Sequence, residues 1–203
     1  MKRYLSLIII SYAILFFNQG CGGSSRTVQR ISIDEVTDLS GRWNDTDAKL
    51  VSQKMIESLT TKPWVKQFTQ KNNKKPVIIV GTIRNLSSEH ISTTVFIKDI
   101  EEELINNGSV TFVANPEERT EIRNEREDQQ SNSSEETAKR LASETGADVM
   151  LKGSISTQND AVEGESVVFY QVDLELINLE TNEKIWMGSK QIKKIVKQSS
   201  YKW

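Results

Sequence analysis

The sequence predicts a two-layer α/β domain, a mixed β-sheet flanked by helices. Three patterns carry the prediction. Ala48, Val51, Met55 and Leu59 recur at helical spacing, Val77-Ile78-Ile79-Val80 is a short apolar run, and Val168, Tyr170, Val172, Leu174 and Leu176 strictly alternate. Apolar residues three and four apart line one face of a helix, a continuous apolar run of four to eight suits a strand buried on both faces, and alternation suits a strand with one face wet. Helices and half-buried strands in one chain bury their apolar faces on each other, so the layers follow.

The first helix is expected from Asp45 to Leu59, behind the polar starters Asn44 and Thr46. Pro63 interrupts it, and Trp64, Val65 and Phe68 suggest a short second helix. Pro76 to Gly81 reads as a buried central strand, and Arg84 to His90 as a loop at its C-terminal end. Thr93 to Asn106 is a helix with Phe96, Ile97, Ile100 and Leu104 on one side, stopped by Asn107-Gly108. Val110 to Ala114 is a short strand. Pro116 to Gln130 mixes opposite charges three or four apart, the pattern of a solvated helix. Asn132-Ser133-Ser134 breaks it, and Ser133 with Glu136 has capping-box spacing for another helix that ends at Gly146. Strands over Ala147 to Ile155, Val167 to Ile177 and Lys184 to Ile195 follow, the last two joined by a turn at Glu180-Thr181-Asn182-Glu183.

The chain has 203 residues, 26 basic against 28 acidic, which suits one globular domain with a mixed surface. A balance so near neutral argues against nucleic acid, whose phosphates require a basic face. The first twenty residues differ. Lys2 and Arg3 precede an apolar stretch from Leu5 to Phe17, too short to cross a hydrocarbon core, which takes roughly 20 residues as a helix. A positive flank, a short apolar stretch and then small residues is the order of a secretory signal. The sole cysteine, Cys21, follows Gly20 at its end. Gly20-Cys21 resembles the end of a bacterial lipobox, so the expected organisation is a signal peptide over 1–20, a lipidated Cys21 opening a short tether over 21–37, a globular domain over 38–197 and a C-terminal tail over 198–203. Cys21 would carry a covalent diacylglycerol and an N-acyl chain. Two or more acyl chains anchor stably where one holds only marginally. Gly22 and Gly23 stand where an inner-membrane retention aspartate would be in enteric bacteria, which favours the outer membrane.

The inventory of reactive side chains is short. With His90 the sole histidine and Cys21 assigned to lipid, no Cys–His pair, Ser–His–Asp triad or His/Cys zinc site can be assembled. Paired acids at Glu101-Glu102-Glu103, Glu117-Glu118 and Glu135-Glu136 lie on expected exposed helices, where solvated faces are the simpler reading than a glycosidase pair. No enzyme, cofactor or metal is expected. The residues left for partner binding are Trp43, the loop group Arg84, Asn85, Glu89 and His90, and the arginines Arg119, Arg123 and Arg126, because loops, aromatics and arginines anchor interfaces more than other groups do.

Several segments resemble the LpoB-type penicillin-binding protein activators: Asp38-Leu39-Ser40-Gly41-Arg42-Trp43-Asn44-Asp45-Thr46-Asp47, Val80-Gly81-Thr82-Ile83-Arg84-Asn85 with Glu89-His90, Asn106-Asn107-Gly108, Glu118-Arg119 through Glu125-Arg126 with Asp128-Gln129-Gln130, Gly146-Ala147-Asp148 and Leu151-Lys152-Gly153. The resemblance implies a fold like the TolB N-terminal domain. It also implies a monomeric outer-membrane lipoprotein that faces the periplasm, binds a bifunctional class A penicillin-binding protein and allosterically activates this peptidoglycan synthase in cell-wall assembly. Enteric members carry a long proline-rich tether; here the tether has no proline and reaches on the order of 55 Å at about 3.5 Å per residue. The alternative is an envelope assembly or secretion component related to TolB and curli-export lipoproteins. Oligomeric state separates the two.

Overall fold

The computed structural model describes residues 27–132 and 146–197. The expected signal peptide, Cys21, the helix ending at Gly146 and the C-terminal tail lie outside the described residues, apart from Gly146 itself. The described residues fall into two units, divided after Glu35. In the first, Val28 and Ile33 are exposed.

In the second unit the order is α1 (Asp45–Thr61), α2 (Trp64–Asn72), β1 (Val77–Asn85), α3 (Thr94–Asn106), β2 (Thr111–Phe112), α4 (Pro116–Asn132), β3 (Val149–Val162), β4 (Glu165–Asn178) and β5 (Lys184–Lys197). The five strands form one mixed sheet in the order β2-β1-β3-β4-β5. β1 runs parallel to β2 and β3, whereas β3, β4 and β5 are an antiparallel meander. β1 is therefore interior but not central; β3 holds the centre.

The register explains the core. Leu151, Ile155, Val172, Leu174, Leu176 and Trp186 share one face of the sheet and are buried, with Tyr170 beside them. Against them lie Val51, Met55 and Leu59 of α1 and Phe96, Ile100 and Leu104 of α3, one apolar stripe from each helix. Trp64 donates its indole N–H to the Leu59 carbonyl at 2.8 Å and Trp186 donates to Ser58 Oγ at 3.2 Å, so both tryptophans fill the core while their polar edge is satisfied.

Several boundaries differ from the sequence expectation: β2 keeps only Thr111–Phe112 of the strand expected over Val110 to Ala114, and two larger differences have clear causes. β1 continues through Arg84 and Asn85, which pair with Ser154 and Ile155 of β3 and are not loop residues. β3 runs seven residues past Ile155, to Val162. That extension is mostly polar and is exposed from Gln158 onward, so no apolar alternation marks it; its pairing with β4 shapes it.

Candidate functional site

The segment Thr37–Asn44 forms a strap across the ends of β4 and β5, held by two anchors. At the first, Glu89 accepts from the Trp43 backbone N–H at 3.0 Å through Oε2 and from the Tyr170 hydroxyl at 2.6 Å through Oε1. The Trp43 ring meets Tyr170 edge-on at 5.5 Å and Phe96 at 6.4 Å. At the second, Lys194 Nζ donates to Asp38 at 2.7 Å, to Asp47 at 2.7 Å and to the Arg42 carbonyl at 3.0 Å, which uses all three ammonium protons.

Local chemistry dictates the strap. Asn44 caps α1 in a reciprocal box with Asp47, accepting from its N–H at 3.1 Å and donating its own to the carboxylate at 3.0 Å. Gly41 takes φ +70°, and a Cβ there would meet the Val196 side chain, so only glycine fits the crossing. Glu89 is aimed by Asn85, which donates its amide to the Glu89 carbonyl at 2.7 Å and accepts from Ser87 at 2.6 Å.

Burial raises the Tyr170 hydroxyl well above the ordinary phenol range, and the Glu89 carboxylate bonded to it raises it further. The Lys194 hydrogen bond lowers the Asp38 carboxyl, against a smaller opposing effect of desolvation. Burial would lower Lys194, but its bonds to Asp38 and Asp47 outweigh burial and raise it. A carboxylate with a depressed pKa stabilises above its unfolded pKa and loses that contribution as pH falls through the lower folded value. A lysine with a raised pKa stabilises below its unfolded pKa and loses it as pH rises through the higher folded value. The strap should therefore hold unchanged from about pH 5 to about pH 10 and loosen only beyond those limits. The difference in fluorescence between the wild type and Trp43→Phe, followed against pH, reads this out; a transition near neutrality would contradict it.

The strap, the Ser88–His90 loop and the β3–β4 arm enclose an open cleft of about 710 Å³ lined by Arg42, Trp43, Glu89, His90, Asn159 and Glu165, among others. The structure thus brings together Trp43, Glu89 and His90. Arg84 is exposed at the end of β1, and Asn85 shapes the loop. Arg119, Arg123 and Arg126 fall on α4 at intervals of four and three, one face of a helix that lies apart from the cleft lining. Lys194 and Tyr170 are the site residues that sequence reasoning missed. The available signal was parity: Lys194 shares it with Ile192 and Val196, so a lysine at a core-facing strand position needed acid partners.

Among the described residues no group of three or more His, Cys, Asp or Glu side chains is placed to hold a metal ion, and no helix is long and apolar enough to cross a membrane. The cleft offers contact, charge and shape.

No curated protein matches the chain. Among solved structures it is similar to the LpoB C-terminal domain from Salmonella enterica, at 19% identity over 64% of this chain and 93% of that one, TM-score 0.34. It is also similar to the LpoB C-terminal domain from Escherichia coli, at 17% identity over 64% and 98%, TM-score 0.36. A third likeness is lipoprotein GNA1162 from Neisseria meningitidis, at 16% identity over 62% and 87%, TM-score 0.37. With superpositions this loose, assignment rests on the family model of the peptidoglycan-synthase activator LpoB, which matches residues 47–192, from the first turn of α1 into β5. The chain belongs to the LpoB family of peptidoglycan-synthase activators, envelope lipoproteins that face the periplasm and regulate penicillin-binding proteins rather than catalyse a reaction themselves.

Proposed function

We propose that this protein binds a bifunctional class A penicillin-binding protein and activates it allosterically, as a monomer tethered to the outer membrane through acyl chains on Cys21. The observation that carries the reading is the family match across nearly the whole folded unit, residues 47–192. Two exposed leucines add support: Leu39 on the strap and Leu86 after β1 are 92% and 61% exposed, beside the segments that wall the cleft. Apolar side chains presented next to a polar cleft suit a protein partner. Activation then requires only that the domain bind the active state of the synthase more tightly than the resting state.

The test is glycan polymerisation by a purified class A synthase, with and without the full chain. Stimulation of at least about fivefold is expected, at the low end of ordinary coupling. Binding without stimulation would overturn activation. Arg84→Glu should weaken synthase affinity about tenfold or more with the unfolding midpoint unchanged, since a reversed interfacial charge costs on the order of 1.4 kcal/mol. Equal affinity of a folded variant contradicts that placement of the surface. Cys21→Ser should abolish incorporation of radiolabelled palmitate, and label retained in the variant would refute the anchor. The short tether sets a further condition: synthase and anchor must approach within its reach of roughly 55 Å plus the domain.

A further inference from the structure

We infer that the free edge of β5 is a strand-addition site for an acidic, extended segment of another protein. β5 is fourteen residues long, and among the described residues it pairs only with β4. A strand of that length presents about 45 Å of edge on which every second residue turns its N–H and C=O outward. Such an edge is a template for pairing with another chain.

Charge selects the occupant. Lys184, Lys190, Lys193, Lys194 and Lys197 lie on β5, which has no acidic residue. Lys184 is bonded to Glu175, Lys197 to Glu165, and Lys194 to Asp38 and Asp47. Lys190 and Lys193 have no ion pair among the described residues. They stand opposite Val172 and Phe169, on the two faces of the sheet, so each flanks the edge from its own side. Met187 and Ile195, 62% and 64% exposed, add apolar surface that an incoming strand would cover.

A second copy of this chain does not fit. Pairing β5 with another β5 brings five lysines from each strand and no carboxylate of either onto one ladder, and like charges on a ladder destabilise it. Pairing β5 with the opposite edge of the sheet offers only the two residues of β2. The lysines therefore disfavour self-pairing and favour a strand bearing carboxylates. This surface stands apart from the synthase reading and does not depend on it.

The test uses the full chain and two synthetic peptides of valine and threonine, one carrying two glutamates three residues apart and the other two lysines. Amide hydrogen exchange is followed across Lys184–Lys197. The glutamate peptide should slow exchange there about tenfold or more, less so at high salt, while the lysine peptide leaves it unchanged. In Lys190→Glu with Lys193→Glu the preference should reverse; Lys193 is exposed on the outer face, and Lys190 is half-buried on the core-facing side opposite Val172. If that variant does not fold, the two wild-type arms decide. No protection by the glutamate peptide, equal protection by both, or a dimer of the chain alone with β5 protected would each overturn the inference.

Discussion

Replacing Glu89 with alanine is expected to lower the free energy of unfolding by about 3 kcal/mol, one of the largest single effects outside the apolar core. The carboxylate is the acceptor for two donors that have little else. Tyr170 is fully buried, and with Glu89 gone its hydroxyl keeps only the Gly41 carbonyl, 3.4 Å away. The Trp43 N–H loses its 3.0 Å acceptor. Hydrogen bonds to a charged group contribute about 1.5–3 kcal/mol each. Relief from desolvating the carboxylate, and water entering from the adjoining cleft, offset part of the sum. Glu89→Gln keeps an acceptor for Tyr170 but turns an amide donor toward the Trp43 N–H, so it should cost about half as much. Urea unfolding with an unchanged slope measures both. A midpoint for Glu89→Ala within error of the wild type would mean that the strap is not held there.

This network also shows where sequence reading reaches its limit. The faces of α1 and α3 were legible because Val51, Met55 and Leu59, or Phe96, Ile100 and Leu104, repeat within a few residues of one another. The same holds for the inward row of β4. The Tyr170–Glu89 bond spans 81 positions and the Lys194–Asp38 bond 156, and no local period relates such residues before the sheet has formed. Trp43, Glu89 and His90 were legible as candidates by type and position, but not as walls of one cleft. The outer half of β3 was illegible for a different reason. From Ser156 to Asp160 it buries little, so burial could not print a pattern on it; the partner strand alone keeps it extended. Arg84 and Asn85 look like loop residues for the same reason, since backbone pairing with β3 leaves no mark on side-chain choice. The run Asp38 to Asp47 resembled the family before it had a physical account. Capping by Asn44, the Gly41 crossing and the Lys194 bonds now supply one.

Gly153→Val should be more damaging still, leaving the chain insoluble or less stable by about 4 kcal/mol or more. Gly153 lies opposite Leu174 on the central strand, between the buried Leu151 and Ile155. A Cβ at that position would run into the backbone carbonyl oxygen of Asp173 and come within 2.5 Å of Leu174 Cδ2. The leucine methyl has some freedom, but the carbonyl has none. β3 is bonded to β1 on one side and β4 on the other, so it cannot step back without breaking a ladder. Even Gly153→Ala should lose about 2 kcal/mol, against a helix-or-strand propensity that favours alanine. Gly146→Ala is the control: a Cβ there meets nothing within 4 Å, and its midpoint should move by no more than about 0.5 kcal/mol. Soluble expression and chemical unfolding of the three variants give the comparison. If Gly153→Val unfolded at the wild-type midpoint, β3 and β4 would have to be paired in another register. A shift by one residue would turn Val172, Leu174 and Leu176 out of the core. The buried row on β4 and the closeness of Gly153 to Asp173 are one geometric fact, and this substitution tests both together.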